Sequence, residues 1–457
     1  MIRRLLFANF RNVYRLSRWS RQRLTPLGAT FAGALVATGV FAIDTRQTLA
    51  FQVAALLCAL LLLAAAASLW FRPRLAIRRR LPRFATAGVP LAYGLHVRNH
   101  GSRVERDLQL LDHLEAPLPA FGEFLAAARR DTHNWFDRFV GYPRWLEMAQ
   151  RRRGANIDIV TMPTLPSAEE IELRVPMMPT RRGYVRFEAV SVLRPDPLGL
   201  VNAIRRYPMA ESLLVLPARY PAPRVRFSGR RRYQPGGEGL ASSVGDSQEF
   251  ASLRDYRPGD PMRHIHWRSW ARTGKPVVKE FQDEFFDRNA LVLDTCAGCD
   301  DPAVFEEAVS VAASFACADY GPDALLELLL VGPGAVQLTA GRGLADTADL
   351  LEVLACVEAR SDQPFERLAD RVVAQLPRLS SVVCVLCAWD EPRRRLIRRL
   401  AAHALQGIAV VVYRGPVNPL EGDTLAAEGL RLVPLELGRA LDALRALDTP
   451  ARLGAAA

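Results

Sequence analysis

Residues 381–413 read SVVCVLCAWDEPRRRLIRRLAAHALQGIAVVVY, and this stretch decides the class of the C-terminal half. It opens on Ser381 to Ala388 and closes on Ile408 to Tyr413, two nearly unbroken apolar runs rich in valine. Strands with both faces covered read in this way, because a parallel sheet is clad in helices on either side. The intervening Asp390 to Leu405 is a charged helix, so the unit is strand, helix, strand. The alternation extends in both directions. Upstream lie a strand at Ala290 to Asp294, a helix at Pro302 to Tyr320, a strand at Leu325 to Val331 and a helix at Leu344 to Ala359. Downstream lie a strand at Leu430 to Val433 and a helix at Leu437 to Leu447. The expectation is a three-layer α/β domain on a parallel sheet. Its functional edge is at the C-terminal ends of the strands, where Asp294 and Asp390 fall.

The N-terminal end is of a different kind. Leu24 to Ile43 carries no charge, and its 20 residues, as a helix, reach about 30 Å, the thickness of a hydrocarbon core. Leu49 to Phe71 is a second apolar stretch, with Gln52 as its only strongly polar residue. Only Asp44 to Thr48 separate the two, so residues 24–71 are expected to form a transmembrane helical hairpin behind a basic N-terminus, 1–23. A signal peptide fits poorly, because the first stretch is too long and another span follows at once.

The formal net charge is +12, from 60 Lys and Arg against 48 Asp and Glu, a balance that ordinarily suggests nucleic acid. The excess is not spread that way. Residues 1–24 hold seven arginines and no acid, and residues 72–83 hold six more, again without an acid. Those thirteen exceed the whole net charge and flank the hairpin at its two outer ends, where Arg and Lys keep short segments cytoplasmic. The expected partner is therefore the lipid bilayer and not nucleic acid. The expected location is a bacterial inner membrane, multi-pass, with the N-terminus and everything after residue 71 in the cytoplasm. Seven irregularly spaced cysteines fit a reducing compartment better than a disulfide scaffold.

Residues 72–220 contain the short alternating runs Val89 to Asn99, Leu108 to Leu111, Ile171 to Val175, Tyr184 to Val192 and Leu213 to Leu216, punctuated by Pro and Gly. Strands without helical crossovers predict an Ig-like β-sandwich. The segment at about 121–153 departs from this, interleaving Phe121, Phe124, Trp135, Phe136, Phe139, Tyr142 and Trp145 with arginines. It reads either as a helical insertion packing its aromatics on the sandwich or as an element at the lipid headgroups. Residues 221–248 are rich in Gly, Ser and Arg and read as a linker.

Between linker and α/β domain, Glu249 to Glu284 reads EFASLRDYRPGDPMRHIHWRSWARTGKPVVKEFQDE. Pro258 and Gly259 suit the middle of a type II turn, and Asp260 suits bonding to backbone amides. Arg254, Asp255, Asp260, Arg263, Arg268 and Arg272 offer complementary charges, with Trp267 and Trp270 as apolar anchors. Such a set reads as an Arg and carboxylate lock. The run resembles the signature of the domain of unknown function 58 family, L-R-x-Y-x-x-G-D-x-x-R-x-I-x-W-x-x-x-A-R-x-G. The matching positions are Leu253, Arg254, Tyr256, Gly259, Asp260, Arg263, Ile265, Trp267, Ala271, Arg272 and Gly274. Arg181 to Tyr184 and Asp196 to Leu200 (DPLGL) also resemble that family's sandwich region. The resemblance implies a membrane-anchored protein with a von Willebrand factor A-like domain over 249–457, acting with a MoxR-type AAA+ ATPase in chaperone-like or assembly work. The interaction residues it implies are Arg254, Asp255, Tyr256, Gly259, Asp260, Arg263, Trp267 and Arg272.

The same resemblance implies a divalent metal held by D-x-S-x-S after the first strand. Here the run is Asp294, Thr295, Cys296, Ala297, Gly298, which leaves Asp294, Thr295 and Asp390 as the oxygen donors for Mg2+ or Mn2+. A thiol and a bare glycine are poor substitutes for hydroxyls. No other cofactor is expected. Cys296 with Cys299 and Cys384 with Cys387 show C-x-x-C spacing, and buried small hydrophobes are expected ahead of a zinc site. No Walker A loop, nucleophile elbow or dinucleotide fingerprint occurs. No catalytic role and no small-molecule substrate are expected, and ATP hydrolysis falls to the partner. The competing reading is a hydrolase or transferase using Asp255, Asp260, His264 and His266.

Overall fold

The computed structural model describes residues 2–41, 48–115, 117–127, 140–221, 249–260, 262, 265–282, 287–320, 324–331, 335–340, 346–360, 362–403, 405–421 and 429–448. The expected linker, 221–248, lies almost wholly outside them, as do Trp135, Phe136, Phe139, Arg263 and His264. The chain divides into two compact units, Met1–Ala218 and Arg219–Ala457.

The first unit begins with α1 (Ile2–Arg23), α2 (Pro26–Phe41) and α3 (Thr48–Ser68). The basic N-terminus is thus itself a helix, because Phe7, Phe10 and Tyr14 recur at helical spacing and share a face. Pro26 starts α2, where its missing N–H costs nothing. α2 packs on α3. One helix, Leu49–Ser68, is long and apolar enough to cross a membrane, and Pro26–Gly39 is apolar over a shorter length. The 16 residues of α2 reach about 24 Å.

The sandwich follows, built from β1 (Leu75–Arg80), β2 (Phe84–Thr86), β3 (Leu91–Asn99) and β4 (Gln109–Leu114), then α4 (Phe121–Ala127) and α5 (Tyr142–Arg153). β5 (Ala155–Ile157), β6 (Val160–Thr161), β7 (Glu170–Pro179), β8 (Gly183–Pro195) and β9 (Asn202–Leu216) complete it. One sheet has the order β1-β3-β7-β5 and the other β2-β9-β8-β4-β6. Every pairing is antiparallel except β2 with β9. Alternate residues of both sheets meet in one core that includes Leu95, Val97, Val175, Met177, Val190, Val192, Leu213 and Val215.

Two sequence readings change here. Arg79, counted among the arginines flanking the hairpin, points into the sandwich. Its guanidinium makes 2.9 and 2.8 Å bonds to Asp112, which also accepts from the Tyr93 hydroxyl at 2.7 Å. The described aromatics of the 121–153 segment pack on α1, not on the sandwich: Phe124, Tyr142 and Trp145 stack edge-on or tilted around Phe7, Phe10 and Tyr14.

The second unit opens with an antiparallel pair, β10 (Glu249–Asp255) and β11 (Val277–Gln282), with α6 (Trp267–Thr273) between them. β12 (Asp287–Leu293), α7 (Pro302–Ala316), β13 (Ala324–Val331), β14 (Ala335–Ala340), α8 (Thr347–Cys356) and α9 (Glu366–Gln375) follow. β15 (Ser381–Leu386), α10 (Glu391–Ala402), β16 (Gln406–Tyr413), β17 (Leu430–Glu436) and α11 (Ala440–Asp448) end it. The sheet order is β14-β13-β12-β15-β16-β17. It is mixed rather than all parallel, because β14 turns back antiparallel on β13. Neither β14 nor α9 was legible in the apolar runs. Ala290, Val292, Cys384, Ala409 and Val411 face α9 and α10, while α7 packs on β12, β15 and β16. All six residues of β15 are buried, as its unbroken apolar run requires.

Candidate functional site

In the signature segment the turn forms as the sequence predicts. Asp260 N–H donates to the Arg257 carbonyl at 3.0 Å, and Gly259 takes φ +109°, a conformation that favours glycine. Asp260 then locks it. Both its oxygens accept from Arg254 at 2.7 Å, and one accepts the Arg257 N–H at 2.8 Å. The Arg254 bonds, with the Arg257 N–H second, lower the Asp260 carboxyl to about 2. A group held ionised so firmly is no proton donor near neutral pH.

The other signature residues lie along the strand pair and α6. Tyr256 N–H bonds the Pro276 carbonyl at 3.0 Å and closes the strand pair, with Asp255 exposed beside it. Trp267 stacks on Trp270 at 5.2 Å between ring centroids and is 61% exposed. Met262, at 73%, and Leu253, at 41%, are exposed too, and Arg272 is exposed in the last turn of α6. The hydrolytic set does not assemble among the described residues. His266 bonds Ser269 at 2.7 Å, no hydrogen bond joins it to Asp255, and Asp260 is committed to Arg254.

At the strand ends, Asp294 and Asp390 come together through a residue that the sequence reading passed over. Arg393, in the first turn of α10, donates to Asp294 from Nε at 2.7 Å, to Asp390 at 2.6 Å and to the Ala297 carbonyl at 2.7 Å. Burial alone would lower its pKa, but the charge and hydrogen bond of Asp294 outweigh that and raise it. Asp294 also accepts the Cys296 and Cys387 N–H groups at 3.1 and 3.2 Å, and the Thr295 hydroxyl donates to Val331. These donors do not fit a hard divalent ion, because a guanidinium already stands between the carboxylates. Half of the signal was available, since Arg393 follows Asp390 by three residues and the two side chains are neighbours, but nothing local names Asp294.

One cysteine from each C-x-x-C pair reaches this place. The Asp294 carbonyl accepts from Cys299 Sγ at 3.4 Å and from Cys387 Sγ at 3.6 Å. The neighbouring Cys387 sulfur, then burial, pushes the Cys299 thiol up; for Cys387 the Cys299 sulfur pulls down and burial prevails. Cys296 and Cys384 are pushed up to about 12, both by burial first. All four are buried, protonated small hydrophobes at neutral pH.

The chain thus joins a β-sandwich to a mixed α/β domain that is preceded by a charge-locked strand pair. Residues 252–410, from the middle of β10 into β16, match the family described as "Protein of unknown function DUF58". A curated relative, "Uncharacterized protein YeaD" of Bacillus subtilis (strain 168), is 30% identical over 135 residues, 29% of this chain and 32% of that protein. The alignment therefore spans about a third of the relative's length. Among solved structures, a CARDB domain from Pyrococcus furiosus in complex with di-metal ions matches 31% of this chain and 93% of its own, at 15% identity and a TM-score of 0.17. The seventh PapD-like domain of human CEP192 matches 32% of this chain and 86% of its own, at 13% identity and a TM-score of 0.15.

Proposed function

We propose that this protein is a membrane-anchored assembly factor that presents its C-terminal domain, of von Willebrand factor A-like arrangement, to a MoxR-type AAA+ ATPase. α2 and α3 form the transmembrane hairpin of this reading, and the β-sandwich and the second unit, which follow it in the chain, are cytoplasmic. The observation that carries it is the signature lock with its exposed apolar group. The Arg254 and Asp260 pair fixes the turn of a segment on which Trp267, Met262 and Leu253 are exposed. An exposed, stacked Trp on a segment that also carries exposed apolar residues and arginines has the composition of an interface hot spot. In this reading the partner supplies the ATP hydrolysis.

The test is co-purification of the full chain with the ATPase from membranes. Trp267→Ala is expected to reduce recovery of the partner at least tenfold, matching a hot-spot loss of ~2 kcal/mol. Arg254→Ala and Asp260→Ala should do the same while circular dichroism stays unchanged. Undiminished co-purification in all three would overturn the reading.

A further inference from the structure

We propose that Arg393 is the resident cation of the α/β domain, occupying the strand-end position between Asp294 and Asp390, so that no hard divalent ion such as Mg2+ or Mn2+ is taken there. The guanidinium spends all three nitrogens there, on Asp294, Asp390 and the Ala297 carbonyl. Its side chain is 1% exposed and that of Asp294 is fully buried. The Phe365 ring lies 4.6 Å from its centre. Arg360 and Gln363 are bonded at the strand end, Arg360 N–H to the Thr295 carbonyl at 2.5 Å and Ala297 N–H to the Gln363 carbonyl at 2.9 Å. A planar fork with fixed donors suits two carboxylates and one carbonyl in a way that a small sphere demanding six oxygens does not.

The glycine at 298 belongs to the same device. It adopts φ +99°, and a Cβ built on it would stand 3.2 Å from both terminal nitrogens of Arg393. A serine there, as D-x-S-x-S would require, is therefore opposed twice, by the backbone and by the guanidinium. Gly298 and Arg393 are two halves of one exchange: the arginine replaces the ion, and the glycine makes room for the arginine. A charge carried on the chain cannot be chelated or diluted away. The strand end is thereby assembled at any cation concentration.

The experiment uses the detergent-solubilised full chain. Titration of wild type with Mn2+ should give no heat of binding, and its melting temperature should be the same with EDTA as with Mg2+. Arg393→Met leaves Asp294 charged, buried and unpaired, and should lower the melting temperature by about 10 °C. Adding Asp294→Asn to Arg393→Met should recover most of that loss, whereas Asp294→Asn alone should be as damaging as Arg393→Met. Saturable Mn2+ heat in wild type would overturn the proposal, and so would a thermally neutral Arg393→Met. Neither measurement involves the ATPase, so failure here leaves the partner reading standing and failure there leaves this one.

Discussion

His113 is 7% exposed, and its surroundings settle its protonation. Arg18 donates to Nδ1 at 3.1 Å, and a guanidinium can only donate, so Nδ1 carries the lone pair and Nε2 the proton. Nε2 then donates to Ser191 Oγ at 2.7 Å, the reverse of what a serine nucleophile needs. Burial first, then the charges of Arg18 and Arg206, lowers the His113 pKa from 6.5 to about 4. Folded below unfolded, this group contributes fully above pH 6.5, and that contribution drains away as pH falls toward 4. The total is about 3 kcal/mol. Denaturant midpoints of the full chain should fall across this interval, and His113→Gln should flatten the profile; an equal fall in the variant would refute the assignment. Asp260 behaves likewise in a lower window: its pKa of about 2 keeps the signature turn locked at pH 4 and above, and the lock is lost only toward pH 2. Its part was legible in the order Pro258, Gly259, Asp260. The role of Arg393 was not, because the apolar pattern that locates a helix says nothing of which carboxylate, 99 residues away, it will meet.

Among the elements, the Asp196 to Leu200 loop shows what a short motif can hide. Asp196 accepts the N–H groups of Leu198, Leu200 and Val201 at 2.9, 2.7 and 2.7 Å and ties the loop into a compact knob. That knob docks at the start of α2. Thr25 donates its hydroxyl to the Gly199 carbonyl at 2.5 Å and its N–H to the Leu200 carbonyl at 3.2 Å. Leu200 and Val201 pack with Ala64 of α3, Leu24 and Phe31. Gly28 permits the approach, since a Cβ there would collide with the Leu200 carbonyl oxygen. Gly28→Val should therefore cost ~1–3 kcal/mol through overpacking. Asp196→Ala, which orphans buried amides, should cost about 3 kcal/mol. Both are read as lower melting temperatures of the solubilised chain; wild-type values in both would show that the knob does not hold the helices. The DPLGL run was visible in the sequence as part of a resemblance, but its contact with residues some 170 positions earlier was not, because nothing local in the run marks it as a joint.

For the whole molecule, the proposed orientation carries its own test. Protease added outside intact spheroplasts should leave the C-terminal half undigested, and cleavage there would place the second unit on the wrong side for a cytoplasmic ATPase. The sequence by itself determined the apolar helices, the sandwich strands, the change to a strand and helix alternation after residue 289, and the signature turn. Each of these follows from a local period or a turn chemistry, and local patterns survive without knowledge of the fold. Tertiary structure alone decided that Arg79 faces inward to Asp112, that the aromatics of α4 and α5 serve α1, and that β14 turns back on β13. It also decided that an arginine stands between Asp294 and Asp390. The physical reason is the same throughout: burial of a charge or an aromatic ring is stabilising only when a particular partner arrives from elsewhere in the chain. Spacing along the sequence does not name that partner.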